Sequence, residues 1–172
     1  MTTITLNNLV SNGSFESGTE SWTVSDSSKV FATTAYHIYG NNGLRLDSLN
    51  NVEVNATRNI STTSGNKYFV TSKGIDGNNG SGATTTTLRF GSGYESFGPT
   101  VTTRKSFIFS AIAASTLLEL EFKAEAVGGN TSYFDGVMVI DLTSAFGSTV
   151  ANGMTVAQME AIVEYKGGYW ES

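Results

Sequence analysis

Cysteine is absent from the 172 residues, and histidine occurs once, at position 37. The first absence excludes disulfides and thiolate metal sites. The second excludes multi-histidine metal centres and would force any Ser-His-Asp triad through His37. No serine stands in a G-x-S-x-G elbow, the setting that nucleophilic hydrolysis on an α/β sheet uses. No glycine-rich phosphate loop with a Lys follows a strand, and the run from Gly77 to Gly82 reads as a flexible turn. Charge is sparse at 15% of residues, with a net −5 and a pI near 4.8, so neither a nucleic-acid surface nor a polybasic membrane patch is expected. Apolar runs fall short of the ~18 residues of a membrane-spanning helix. The N-terminus has no basic n-region and no apolar h-region, so no signal peptide is read there. A cytosolic protein, a piece cut from a longer chain, or release by another route such as lysis fits this pattern.

Gly, Ser, Thr and Asn carry the polarity instead, and the hydrophobic pattern alternates with period 2, as half-buried strands do. Over 52–60, Val52, Val54, Ala56 and Ile60 alternate with Glu53, Asn55, Thr57 and Asn59. Over 117–126, Leu118, Leu120, Phe122 and Ala124 alternate with Glu119, Glu121, Lys123 and Glu125. Segments 29–38, 43–48, 67–75, 84–91, 101–112 and 132–142 read as strands too. Between them stand turn signals such as Gly40-Asn41-Asn42-Gly43, Ser64-Gly65-Asn66 and Gly128-Gly129-Asn130. About eight or nine strands at this spacing predict an all-β sandwich or barrel of one domain. One segment departs from the rule. Thr155 and Gln158 form a capping box, and Met154 and Met159 occupy staple positions. Val156, Met159, Ile162 and Val163 then make one apolar face, and Gly167 ends the helix. Residues 1–147 are read as the β domain and 148–172 as a C-terminal helix and tail packed on it.

Paired carboxylates could do glycoside hydrolysis, but the acidic residues fall mainly on outward strand positions or in loops, where solvation accounts for them. The chain is read as non-enzymatic. Its aromatics suggest binding. A sugar offers an apolar C–H face and a belt of hydroxyls, which a protein meets by ring stacking and by planar polar groups at the rim. The strand Tyr36-His37-Ile38-Tyr39 and the loop Gly93-Tyr94-Glu95-Ser96-Phe97-Gly98 offer rings; Glu53, Asn55, Arg58 and Arg89 offer rim groups. His37, Tyr39, Tyr94 and Phe97 are the expected stacking residues, with Asn55 and Arg89 as hydrogen-bonding partners. Tyr36, Tyr68, Phe90 and Trp22 are expected in the core.

Asn8-Leu9-Val10, Asn12-Gly13-Ser14-Phe15-Glu16, Gly18 and Trp22 resemble the N-G-x-F-E-x-G…W start of jelly-roll carbohydrate-binding modules found beside xylanases and cellulases. In order along the chain, Gly43-Leu44-Arg45-Leu46, Gly65-Asn66-Lys67-Tyr68 and Tyr133-Phe134-Asp135-Gly136-Val137 resemble their later motifs, with Gly136 where the family carries a second Asp. This resemblance spans roughly residues 8–142. Residues 134–147, with Asp141-Leu142-Thr143 and Phe146-Gly147, and the following helix are similar to phage and prophage tail proteins; Ser148 to Gly153 departs from their G-N-E-P-T. The resemblance implies a jelly-roll β-sandwich without catalysis. Its partners would be a polysaccharide of a bacterial cell surface and neighbouring tail protein domains, with no nucleic acid and no membrane, and its place a virion tail or the extracellular space. It also implies a structural calcium ion held by Glu16 and Asp135, with Asn12 and Ser14 beside them; calcium takes six to eight hard oxygens. A structural or trimer-forming spacer of the tail, and an accessory module of a secreted plant-polysaccharide hydrolase, are the alternative roles.

Overall fold

The computed structural model describes residues 4–48, 52–77, 86–97, 101–111, 117–124 and 129–172. Among the described residues ten strands run in chain order: β1 Thr23–Val24, β2 Val30–Thr33, β3 Gly43–Asp47, β4 Val54–Ser61, β5 Lys67–Gly77, β6 Thr86–Phe90, β7 Gly93–Phe97, β8 Thr103–Ser110, β9 Leu117–Ala124 and β10 Thr131–Asp141. Helices α1 Leu142–Phe146, α2 Ser148–Gly153 and α3 Val156–Tyr165 follow. The strands form two five-stranded antiparallel sheets, ordered β1-β4-β9-β6-β7 and β2-β3-β10-β5-β8. Stacked face to face, they make the jelly-roll β-sandwich.

The period-2 pattern dictates which face closes. Leu120, Phe122 and Ala124 of β9 are buried while Glu119, Glu121 and Lys123 stand on the other side, because successive side chains alternate across a strand. Phe122 of one sheet stacks on Phe134 of the other, centroids 4.5 Å apart, and Phe15 and Trp22 pack against Phe122. Each aromatic pair adds about 0.5–1.5 kcal/mol beyond its buried area.

The polar stretch from Asn12 to Glu20 is a loop wound around the buried Phe15. Asn12 and Phe15 hold positive φ of 52° and 59°. The Asn12 side chain fixes the turn: its Oδ1 accepts from the Ser17 amide at 3.0 Å, and its Nδ2 donates to Gly18 O and Glu20 O at 3.1 and 3.0 Å. The loop joins the last strand where β10 bulges between Asp135 and Met138, and the Val137 amide there donates to Gly13 O at 3.0 Å.

The other face of β5 and β10 carries Phe69, Met138 and Ile140, covered by Leu6, Leu142, Ala151, Met159 and Val163. That double burial explains the unbroken apolar run Val137 to Ile140, which alternation does not account for. Helix α3 starts as its sequence predicts. The Gln158 amide donates to Thr155 Oγ1 at 3.3 Å, and the Thr155 amide donates to Gln158 Oε1 at 2.9 Å. Met154 and Met159 lie in one cluster, and Gly167, at φ 98°, follows the last turn. Among the described residues no helix is long and apolar enough to cross a membrane.

Several segments differ from their sequence reading. The strand expected over 29–38 stops at Thr33, and residues 34–42 form no strand. Gly93 to Phe97, expected as a loop, is β7 and forms a hairpin with β6. Val52 is exposed rather than inward. Strand β1 and helices α1 and α2 had no periodic signal because each is too short to show one. Residues 84–85, 112 and 125–126 of the expected strands lie outside the described residues. Trp22, Tyr68 and Phe90 are buried as expected, and Tyr36 is half-buried.

Candidate functional site

The outward face of the first sheet assembles side chains that are far apart in sequence. Register places Thr23 beside Thr57, Thr57 beside Glu121, Glu121 beside Arg89 and Arg89 beside Tyr94. One line thus crosses all five strands, about 19 Å at the usual inter-strand spacing. A parallel line holds Asn55, Lys123, Thr87 and Ser96.

At one end of the line, Tyr94 is 61% exposed, and the Arg89 guanidinium carbon lies 5.9 Å from its ring centroid. Arg89 Nε and Thr87 Oγ1, buried atoms at successive outward positions of β6, have no hydrogen-bond partner among the described residues. Towards the other end, Asn55 Nδ2 donates to Glu121 Oε1 at 3.1 Å, and Lys123 Nζ pairs with Glu53 Oε1 at 2.7 Å. The line therefore presents an exposed ring, a cationic donor, a carboxylate acceptor, then amide and hydroxyl groups.

The fold brings together three of the six expected binding residues, Asn55, Arg89 and Tyr94. It separates the others. Phe97 is 2% exposed and meets Phe134 edge to face at 4.9 Å. It pairs with Thr86, one of the inward positions of β6, so it is a core residue and not a stacking surface. His37 and Tyr39 belong to the 34–42 loop beside the second sheet. His37 is exposed, with Nδ1 3.3 Å from Thr34 O. Tyr39 is half-buried and stacks on Tyr169, centroids 5.2 Å apart. Arg58 leaves the rim as well: its guanidinium donates to Ser11 O and Ser11 Oγ at 2.6 and 2.7 Å and anchors the N-terminal loop. Thr57, Glu121 and Lys123 are the residues that sequence reasoning did not select. Alternation already turns them outward; only the register of β9 against β4 and β6 places them beside Asn55 and Arg89.

A cleft of about 410 Å³ lies elsewhere, lined by Thr5, Asn7, Leu9, Asp141, Ser144 and Ala145. Its carboxylate is already engaged, because Asp141 accepts from the Ser144 amide and hydroxyl and from Asn66 Nδ2.

No protein-family model matches the sequence, and no curated protein matches it significantly. Solved structures do match in three dimensions. A module titled Family 16 Carbohydrate Binding Module-2 superposes with a TM-score of 0.63 at 17% identity, covering 78% of this chain and all of that one. A family 61 carbohydrate-binding module, solved in complex with β-1,4-galactotriose, gives 0.60 at 16% identity over 78% of this chain and 99% of its own. The chain has the jelly-roll fold of carbohydrate-binding modules. The enzymatically active domain of bacteriophage CBA120 tailspike protein 4 gives 0.58 at 15% identity, over 77% of this chain but only 21% of the tailspike chain.

The calcium implied for such a jelly roll can be compared with the oxygens present. Glu16 and Asp135 do converge, on the 34–42 loop, but they meet amides there. Asp135 Oδ2 accepts from the amides of Ile38 and Tyr39 at 2.6 and 2.7 Å, and Oδ1 accepts from the Gly136 amide at 2.6 Å. Its main-chain carbonyl accepts from Ser72 Oγ at 3.0 Å. Glu16 Oε1 accepts from the amides of Asn41 and Asn42, both at 2.7 Å. Asn12 is spent on its own turn, and Ser14 Oγ donates to Glu171 Oε1 at 2.5 Å. Among the described residues no three Asp, Glu or His side chains cluster as metal ligands. A calcium shell needs oxygens turned inward; here N–H groups point at the carboxylates, so this arrangement does not fit the ion. The electrostatics follow from the packing. Burial pushes the Asp135 carboxyl up to about 6, against its three amide donors, and the Glu16 charge adds to the rise. The exposed Glu16 is held below the usual carboxylate range, chiefly by the Asn42 amide.

Proposed function

We propose that this chain is a non-catalytic carbohydrate-binding module of a phage or prophage tail that binds a polysaccharide of a bacterial cell surface, from a virion or in the extracellular space. The observation that carries the reading is the line Tyr94–Arg89–Glu121–Thr57, with Asn55 beside it, on an open sheet face. A tyrosine ring stacks on the C–H face of a pyranose. The guanidinium donates to hydroxyl oxygens, the carboxylate accepts from hydroxyls, and the amide does both. A strand-crossing line suits an extended chain better than a single sugar. Where affinity per site is modest, many copies on one particle raise it by avidity. The tail setting draws support from the Asp141-to-Gly147 segment and from the likeness to the tailspike domain.

The test is binding of the labelled protein to a panel of bacterial cell walls and plant polysaccharides, with Tyr94→Ala and Glu121→Gln alongside. Saturable binding to one bacterial wall, lost in both variants, supports the proposal. Binding to plant xylan or glucan moves the module to a polysaccharide hydrolase. Concentration-dependent self-association without glycan binding makes it a structural spacer.

A further inference from the structure

We infer that Glu16, Asp135 and the glycine at 136 form a metal-free clamp on the 34–42 loop, standing where the jelly rolls that this sequence resembles place a calcium ion. Calcium normally cross-links an N-terminal glutamate to a last-strand aspartate through shared oxygens. In this chain both carboxylates grip a third element instead. Four of the five amide donors are consecutive or nearly so, at Ile38, Tyr39, Asn41 and Asn42. The fifth is Gly136 itself. Charge-assisted bonds of this kind are the strong ones, and they engage both side-chain oxygens of Asp135.

The second observation is steric and independent of the hydrogen bonds. Gly136 holds φ of 61°, a conformation that glycine reaches without penalty. A Cβ built there would stand 2.5 Å from Cδ2 and Cε2 of Tyr39. The second aspartate of the family motif has no space here because the Tyr39 ring fills it. That ring is fixed on every side. It stacks on Tyr169, Arg104 donates to its hydroxyl at 3.2 Å, and the Lys73 ammonium lies 5.4 Å from its centroid. Arg104 and Lys73 both also pair with Glu164. Gly40 completes the fit, since a Cβ there would sit 2.5 Å from Glu16 Oε1.

The intact chain tests this by amide hydrogen exchange and thermal melting, in excess EDTA and then in millimolar calcium. The expected result is slow exchange of the amides of residues 38, 39, 41, 42 and 136 in EDTA, with no change in exchange or melting temperature on adding calcium. Glu16→Ala, at an exposed position that leaves the core intact, should speed exchange at 41 and 42 about tenfold or more through the loss of a charge-assisted bond, and Glu16→Gln, which keeps a neutral acceptor, by less, while 38 and 39 keep their protection in both. A saturable rise in melting temperature with calcium overturns the inference. So do amides that exchange fast in EDTA and slow in calcium, or unchanged protection at 41 and 42 in Glu16→Ala.

Discussion

Tyr94 and Arg89 face one another across the β6–β7 hairpin, the guanidinium carbon 5.9 Å from the ring centroid. Neither side chain packs in the core, so the pair is available to a ligand. Removing either should cost about 2 kcal/mol of glycan affinity, the scale of aromatic and arginine anchors at interfaces. In the double variant Tyr94→Ala, Arg89→Ala the losses should fall short of additive by about 0.5–1 kcal/mol, the strength of an exposed cation–π contact. Titration calorimetry on the four proteins checks this, and strict additivity would show that the two act separately.

Phe97→Ala should behave in the opposite way. The ring is buried between the sheets against Phe134, so its loss should destabilise the fold by about 3–5 kcal/mol. At about 2–4 °C per kcal/mol for a chain of this size, the melting temperature should drop by roughly 6–20 °C. Affinity per folded molecule should hold; a stable variant that had lost binding would return Phe97 to the ligand surface.

Asp135 gives the pH dependence. Its folded-state carboxyl titrates near 6 against a reference of 3.8. The folded protein therefore binds the proton more tightly than the unfolded chain. The contribution is fully present below about 3.8 and is lost as pH rises to about 6, at a total on the order of 2–3 kcal/mol. Glu16, shifted downward, acts with the opposite sign and only at the acid end. In urea melts from pH 4 to pH 7 the protein should lose about 2–3 kcal/mol of stability relative to Asp135→Asn; a constant difference between the two would refute the assignment.

Thr155→Ala should remove the side-chain half of the capping box on α3, the bond from the Gln158 amide to Thr155 Oγ1, and cost about 0.5–2 kcal/mol. Differential scanning calorimetry should read this as a few degrees, with glycan binding unchanged because α3 packs on the other sheet.

Strong local signals survived into the fold. The alternation of β4 and β9 and the cap at Thr155 are written in neighbouring residues, and each element forms where its pattern stands. The 34–42 loop is the counter-example. Its aromatic run reads as a strand because β propensity is local, whereas the amides of Ile38 and Tyr39 are claimed by Asp135, nearly a hundred positions away. The candidate face was half legible for the same reason. Asn55, Arg89 and Tyr94 could be chosen by residue type, but Glu121 joins them only through register. Phe97 misled because Gly91-Ser92-Gly93 marks a turn without showing that the strand resumes directly after it.

The helices give the sandwich a front and a back. Over β5 and β10 the outer surface is roofed by α1 to α3 and the N-terminal segment, while among the described residues no helix lies over the outer surface of β4, β9 and β6. A long polymer lying across that side would meet none of these helices. The two outer faces of the single chain are thus unlike.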